Sequence, residues 1–317
     1  MKDRIPSILV FSGGVGGAKF VDGLNQVLPP GKLSVCVNTG DDFEAFGLSI
    51  SPDLDSVCYA LAGIANPETG WGLSDDTWNV IEAIGKLGGP TWFSLGDKDL
   101  ATHLERTRLL RLGLPLTKIT TNFCKTWGIQ ANVLPMSDQP VQTRVDTVEF
   151  GLISFQEYFV ERRSEPKVTG FIFSGADIAI PATGLLECIT EADAILFGPS
   201  NPLVSIDPIL SISSIRKALV NKTVIAISPI VGGKAIKGPL AKMFAELGIE
   251  PDAKAIAAHY RGLISGYILD NEDQNQAEEI NQWDIITLVT DTVMKSRKDR
   301  SRLADEVLGF ISKEFTE

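Results

Sequence analysis

Short apolar runs recur along the chain, and each is followed by a loop of small and polar residues. Residues 7–11 form the first run and read as a buried strand. The loop Ser12-Gly-Gly-Val-Gly-Gly17 follows, and an amphipathic helix is predicted from about residue 18 to 28. Residues 33–37 are the next strand, ending in Asn38-Thr-Gly-Asp-Asp42. Strand, glycine-rich turn, helix and strand make a βαβ unit, the seed of a parallel sheet. The runs at 170–173, 194–197 and 224–227 repeat the theme. Residues 66–129 read as helical and carry four of the five tryptophans, whereas 132–159 turns strand-like. The expected fold is α/β, a Rossmann-like parallel-sheet core with an inserted helical and β-hairpin lobe. Residues 1–65 and 166–317 would form the nucleotide-binding core and 66–165 the substrate lobe, unless all form one integrated domain. In such a sheet the site lies beyond the carboxyl ends of the strands.

Composition narrows the function classes. The 317 residues are 44% hydrophobic and 22% charged, ordinary for a globular protein and unlike disordered, collagenous or disulfide-built chains. The 29 basic against 40 acidic residues give a net charge of −11, which argues against bulk nucleic-acid binding and leaves room for a local pocket for a small anion. Cys36, Cys58, Cys124 and Cys188 are widely spaced and read as reduced thiols. Lys2-Asp3-Arg4 leads into only a short apolar run, unlike a signal peptide, and no stretch approaches the ~20 apolar residues of a membrane helix. A soluble, cytoplasmic protein with no membrane partner is expected.

The loops hold the candidate chemistry. Gly13, Gly14, Gly16 and Gly17 follow a strand and open a helix, where backbone amides and the helix dipole suit a phosphate. Close packing of a tight turn is the plainer explanation. The loop lacks the sixth-position glycine of the dinucleotide fingerprint, since Lys19 stands there, and it lacks the P-loop spacing. Asp41 and Asp42 lie just past the second strand. Ser51-Pro-Asp-Leu-Asp55 starts a helix, with Ser51 as N-cap, Pro52 in the first turn and Gly63 at the end. Asp53 and Asp55 lie ~200° apart on that helix, so at most one is expected to point straight into a site. Carboxylates near a phosphate loop suit Mg²⁺; capping and surface exposure are the alternative. A further loop, residues 93–99, precedes a helix predicted from about 100 to 112. Leu100, His103, Leu104, Thr107 and Leu110 share one of its faces, and Arg106, Arg108 and Arg111 form a basic group. His103 reads as a residue at the edge of the core or as a catalyst. The arginines read as a solvated face or as an anion reader. Residues 228–240 carry Lys234 and Lys237 among glycines, a second anion contact, and Gly198-Pro-Ser-Asn-Pro202 is either a structural turn or a polar reader. The basic run at 296–302 reads as a solvated helix start.

These motifs occur in a fixed order: Gly13-Gly-Val-Gly-Gly-Ala-Lys19, Asn38-Thr-Gly-Asp-Asp42, Pro52-Asp-Leu-Asp55, Leu95-Gly-Asp-Lys-Asp-Leu-Ala-Thr-His103, Phe155-Gln-Glu-Tyr-Phe159, Pro199-Ser-Asn-Pro202 and Ser228-Pro-Ile-Val-Gly-Gly-Lys234. Over about residues 8–245 the chain resembles the 2-phospho-L-lactate transferase (CofD) family of coenzyme F420 biosynthesis. The resemblance implies a transferase that binds the deazaflavin Fo and a guanosine-diphosphate-linked three-carbon acid, either 2-phospholactate or enolpyruvyl phosphate. The 5′-hydroxyl of Fo attacks the phosphorus that bears the acid, and GMP leaves. Mg²⁺ is the implied cofactor, and a homodimer the implied assembly. Asp41, Asp53 and Asp55 become the metal candidates, and Asp41, Asp42 and Asp55 the catalytic ones, Asp42 as base. Gly13, Gly14, Gly16, Gly17 and Lys19 would hold the diphosphate. Asn38, Thr39, Asp97, Lys98, His103, Arg106, Ser200, Asn201, Ser228, Gly232, Gly233 and Lys234 would complete the substrate and nucleotide sites, with Trp92 and Phe93 stacking on the flat ring. The alternative is a non-catalytic nucleotide-sugar-binding regulator on the same scaffold, which the 95–99 and 155–159 motifs disfavour.

Overall fold

The computed structural model describes residues 5–315, so the Lys2-Asp3-Arg4 segment lies outside the described residues. A seven-stranded parallel sheet forms the centre. Its order is Ile286–Thr290, Gly266–Asp270, Val224–Ile227, Ala194–Phe197, β1 (Ile8–Ser12), β2 (Leu33–Val37) and Asn132–Pro135. Both faces of β1 are covered. Ile8 and Val10 join one apolar cluster with helix α1 (Gly14–Val27) and α2 (Pro52–Ala62), while Leu9 and Phe11 join the cluster on the opposite face. That is why the strands read as uninterrupted apolar runs. The chain leaves β1 toward β2 on one side and later returns to Ala194–Phe197 on the other. This reversal opens a crevice at the carboxyl ends of the strands.

Three parts of the layout differ from the sequence-based expectation. Asn132–Pro135 pairs with β2 as the edge strand of the central sheet. Residues 170–173 belong to the strand Val168–Ser174, which pairs antiparallel with Gln142–Thr147 in a separate three-stranded sheet. Its half-exposed alternation suits a sheet with one solvated face. The basic run at 296–302 is not merely solvated. Ser296 caps the helix Arg297–Glu314, and Arg297 and Arg300 pair with Asp22, which is buried in α1. The four cysteines are free thiols, with Cys58 and Cys124 Sγ 3.8 Å apart. Among the described residues no helix is long and apolar enough to cross a membrane.

Candidate active site

The glycine-rich loop lies at the reversal point, and most of it is the first turn of α1 itself. Gly13 is the N-cap, and Gly14 adopts a left-handed φ of 65°. A Cβ on Gly16 would strike the Pro199 carbonyl, and one on Gly17 would strike the hydroxyls of Ser12 and Ser200. Glycine therefore lets α1 approach the 198–202 loop closely. Ser200 locks the contact: its hydroxyl accepts from the Gly13 N–H at 3.2 Å and donates to the Gly13 carbonyl at 2.8 Å. Two amides are thus spoken for, since the Gly14 N–H donates to Asp53 Oδ1 at 2.7 Å. The amides of Val15 and Gly16 are left as the first-turn donors without an intrahelical acceptor.

A cavity of about 770 Å³ opens over this helix end. Asp41, Asp53 and Asp55 all line it. At most one of Asp53 and Asp55 was expected to point straight into a site, yet both belong to the lining: Asp55 with Pro52, Ser56 and Tyr59 along one side of α2, and Asp53 at its N-terminal end. Asp53 turns toward α1, its Oδ2 accepting from Asn38 Nδ2 at 2.9 Å. Asn38 is buried and positions its neighbours, donating also to the Val204 carbonyl and accepting from the Gly40 N–H. Thr39 is buried, with no partner for its hydroxyl. Burial pushes the Asp53 carboxyl up to about 6, opposed by the donors Asn38 and Gly14. Asp41 lies well above the usual carboxylate range through burial and then the charge of Asp53, and its Oδ1 is buried without a partner. Asp42 does not line the cavity. Its Oδ2 accepts from the Ser51 hydroxyl at 2.7 Å, so Ser51 stands at the N-cap of α2 as expected but its side chain serves Asp42 rather than a first-turn amide.

Asp55 has a different surrounding. Its carboxylate forms a buried, two-pronged ion pair with Arg106 on α4 (Asp97–Arg111), and Nδ1 of His103 lies 3.7 Å away. His103 Nε2 is 3.4 Å from Asp99 Oδ1, which accepts from the Tyr59 hydroxyl at 2.7 Å. Burial raises the Asp55 carboxyl, and Arg106 then His103 oppose it. The buried face of α4 is therefore polar: Asp99, Thr102, His103, Arg106 and Thr107. Leu104, expected on the buried face, is exposed. Asp99 was not singled out from the sequence, although its spacing of four from His103 puts both on one helix face. Of the three arginines only Arg106 is buried; Arg108 pairs with Glu105 on the surface and Arg111 donates to the Gly47 carbonyl.

Other sequence candidates have structural partners. Asp97 is on the surface, bonded to Thr77, Asn79 and Val80, which hold its carboxyl down at about 2; the largest contribution is the Thr77 hydroxyl. Lys98 Nζ donates to the Asp75 carbonyl at 2.7 Å. Neither lines the cavity. The Ser228 hydroxyl closes a local turn on Ile230. Gly232 and Gly233, with φ of 55° and 75°, form the two-residue turn of the hairpin Ile230–Val231 and Lys234–Ala235. That turn type demands positive φ at both positions. Lys234 is exposed on the hairpin, while Lys237 reaches the cavity. Lys19 lines the cavity, and burial, then Lys237 and Arg300, lower its ammonium pKa. Ser200 and Asn201 line it too, Asn201 accepting from the Leu203 N–H at 3.0 Å. Trp92 and Phe93 form part of the wall and pack on Phe43.

Comparison with known proteins decides what this crevice belongs to. Residues 8–312 match the family described as 2-phospho-L-lactate transferase CofD. The chain belongs to the CofD family. It is 44% identical over 280 residues to a phosphoenolpyruvate transferase of Streptomyces griseus, covering 86% of this chain and 88% of that one. It is 36% identical over 301 residues to a 2-phospho-L-lactate transferase of Methanosarcina mazei, covering 95% and 99%. A solved protein of Bacillus halodurans superposes with a TM-score of 0.64 over 96% of this chain and 100% of that one, at 16% identity, which is a likeness of fold. The CofD chain is thus an enzyme, a transferase of the 2-phospho-L-lactate or phosphoenolpyruvate type. The match extends through the C-terminal helix, beyond the region where the motifs alone carried the resemblance.

Proposed function

We propose that the enzyme transfers a phospho-three-carbon-acid group from a guanosine-diphosphate-linked donor to the 5′-hydroxyl of the deazaflavin Fo, releasing GMP, in coenzyme F420 biosynthesis. One observation carries the reading. A single cavity joins the open first turn of α1, the buried carboxylates of Asp41, Asp53, Asp55 and Asp99, and an aromatic wall. Phosphoryl transfer needs these parts: donors for phosphate oxygens, a cation site, and a surface that holds the acceptor.

The donor set fits Mg²⁺. Asp41 and Asp53 offer hard oxygens, and the orphaned Asp41 Oδ1 is a buried acceptor awaiting a positive partner. When bound, the ion would neutralise charge on the phosphate oxygens. A second grouping, Asp55, Asp99 and His103, brings ligand atoms within 4.8 Å of one another. It suits Mg²⁺ less well, because Arg106 already neutralises Asp55 and imidazole favours transition metals. The amides of Val15 and Gly16 would hold the diphosphate, with Lys19 beside them. Trp92, Phe93 and Phe159 would wall the flat ring and keep water from the reacting hydroxyl. Asp42 does not line the cavity, so whichever of Asp41 and Asp53 the ion leaves free would take the proton of that hydroxyl.

Calorimetry with GDP, ADP and a UDP-sugar, each with Mg²⁺, tests the nucleotide assignment. GDP should bind tightest, and its binding should weaken when Mg²⁺ is removed. Tighter binding of the UDP-sugar would support the regulator reading instead.

A further inference from the structure

The wall of the cavity carries one cation that the fold does not use. After the π-helical turn Glu157–Glu161, Arg163 and Ser164 both hold left-handed φ, 51° and 56°. Two consecutive non-glycine residues in that region are costly, on the order of 1 kcal/mol or more each, and such strain clusters at ligand clamps. Backbone bonds impose it: the Ser164 N–H donates to the Tyr158 carbonyl at 2.8 Å, and the Glu165 N–H to the Arg162 carbonyl at 2.9 Å. The neighbouring Arg162 is committed to the fold. It donates to Glu157 Oε1 at 2.9 and 2.7 Å, and its guanidinium sits 3.7 Å over the Phe150 ring. Arg163 lines the cavity beside Phe159 and Ser164, and its side chain is engaged in no hydrogen bond or ion pair among the described residues. The two lysines of the cavity are tied down, Lys19 to the Met294 carbonyl at 3.2 Å and Lys237 to the Thr69 carbonyl at 3.1 Å.

A free guanidinium on a cavity wall matches a carboxylate or phosphate through its planar fork. Phosphoenolpyruvate and 2-phospho-L-lactate, the groups named for the relatives, each carry a carboxylate beside the transferring phosphate. The α1 amides and the Asp41–Asp53 pair account for the phosphates, and neither accounts for that carboxylate. We propose that Arg163 is a specificity-determining residue that pairs with the carboxylate of the three-carbon acid on the donor. The assignment rests on the donor reading given above. The turn's backbone sets where Arg163 leaves the cavity wall, and its exposed side chain is left unengaged for the donor.

The test compares wild type, Arg163→Gly and Arg163→Lys by calorimetry with Mg²⁺. Each is titrated with GDP, which lacks the carboxylate, and with the GDP-linked 2-phospholactate donor. Glycine adopts positive φ freely, so Arg163→Gly should melt at or above the wild-type temperature. Its GDP affinity should stay within about twofold, while donor affinity falls ~10- to 100-fold, the scale of one charge-assisted contact. Arg163→Lys should recover only part of the loss, and the KM for donor should rise with Fo binding unchanged. Equal losses for GDP and donor, no loss for donor, or a loss confined to Fo would overturn the assignment. Wild-type protein that binds neither GDP nor donor would overturn the nucleotide reading, and this inference with it.

Discussion

Breaking the Asp55–Arg106 pair should destabilise the enzyme strongly, whatever it does to the chemistry. Both side chains are almost fully enclosed, 9% and 3% exposed, and the carboxylate meets the guanidinium with both oxygens. Removing one partner of such a buried pair costs about 3–5 kcal/mol, because the remaining charge loses its compensation. At roughly 2–4 °C per kcal/mol for a large domain, Arg106→Leu should lower the melting temperature by about 6–20 °C. Asp55→Asn keeps volume and one acceptor, so its loss should be smaller but of the same sign. The double variant Asp55→Asn/Arg106→Leu should be less damaged than the two single losses added together, since neither charge is then left alone. Differential scanning calorimetry of all four proteins, with and without Mg²⁺, reads the effect. The stabilisation by Mg²⁺ should persist in folded Asp55→Asn, because that role is assigned to Asp41 and Asp53. A wild-type melting temperature in Asp55→Asn together with lost Mg²⁺ stabilisation would refute the reasoning and make Asp55 a metal ligand.

Asp41→Asn should cut transfer ~100-fold or more, the scale of losing an electrostatic contact to the transition state, and remove Mg²⁺ stabilisation. The metal-free variant should melt no lower than wild type, because a buried carboxyl group with one oxygen lacking a partner is replaced by a neutral amide. The pH dependence has a definite sign. The Asp53 carboxyl is raised from 3.8 to about 6, so the unfolded chain releases its proton first and metal-free stability should fall as pH rises from about 4 to 6. Burial raises Asp41 and Asp55 in the same direction, and saturating Mg²⁺ should reverse the fall above that window; melts at pH 4, 5, 6 and 7 check it. Gly16→Ala should cost ~1–3 kcal/mol and shift α1, since its methyl meets the Pro199 carbonyl; circular-dichroism melts and GDP titration read both effects.

Features set by backbone chemistry could be read from the sequence. The first βαβ unit, α2 with its Pro52 start and left-handed Gly63 cap, and the buried strands at 194–197 and 224–227 follow from apolar runs and turn residues. Features set by pairing between distant polar groups could not. On α4 the leucine spacing suggested an apolar buried face, yet the buried face is Asp99, His103 and Arg106, satisfied by Asp55 and Tyr59 from α2. Hydrophobic periodicity carries no record of a partner on another helix. The Gly232-Gly233 pair looked like an anion loop because glycine serves both a phosphate cradle and a two-residue hairpin turn, and the pairing of Val231 with Lys234 identifies the turn. Arg163 gave no signal, since an Arg-Arg pair in a polar stretch reads as solvated. The acidic candidates at 41, 53 and 55 do converge on one cavity, and the pairing of Asp55 with Arg106, which sets it apart from Asp41 and Asp53, is a tertiary property.

The most direct test of the account is a single transfer reaction followed by mass spectrometry and nucleotide chromatography. The protein is incubated with Fo, Mg²⁺ and either GDP-linked 2-phospholactate or its enolpyruvyl counterpart. The account predicts a product equal in mass to Fo plus the phospho-acid group, with GMP released one for one, and no GMP when Fo is left out. GMP release that does not depend on Fo, or intact Fo after complete consumption of either donor, would contradict it.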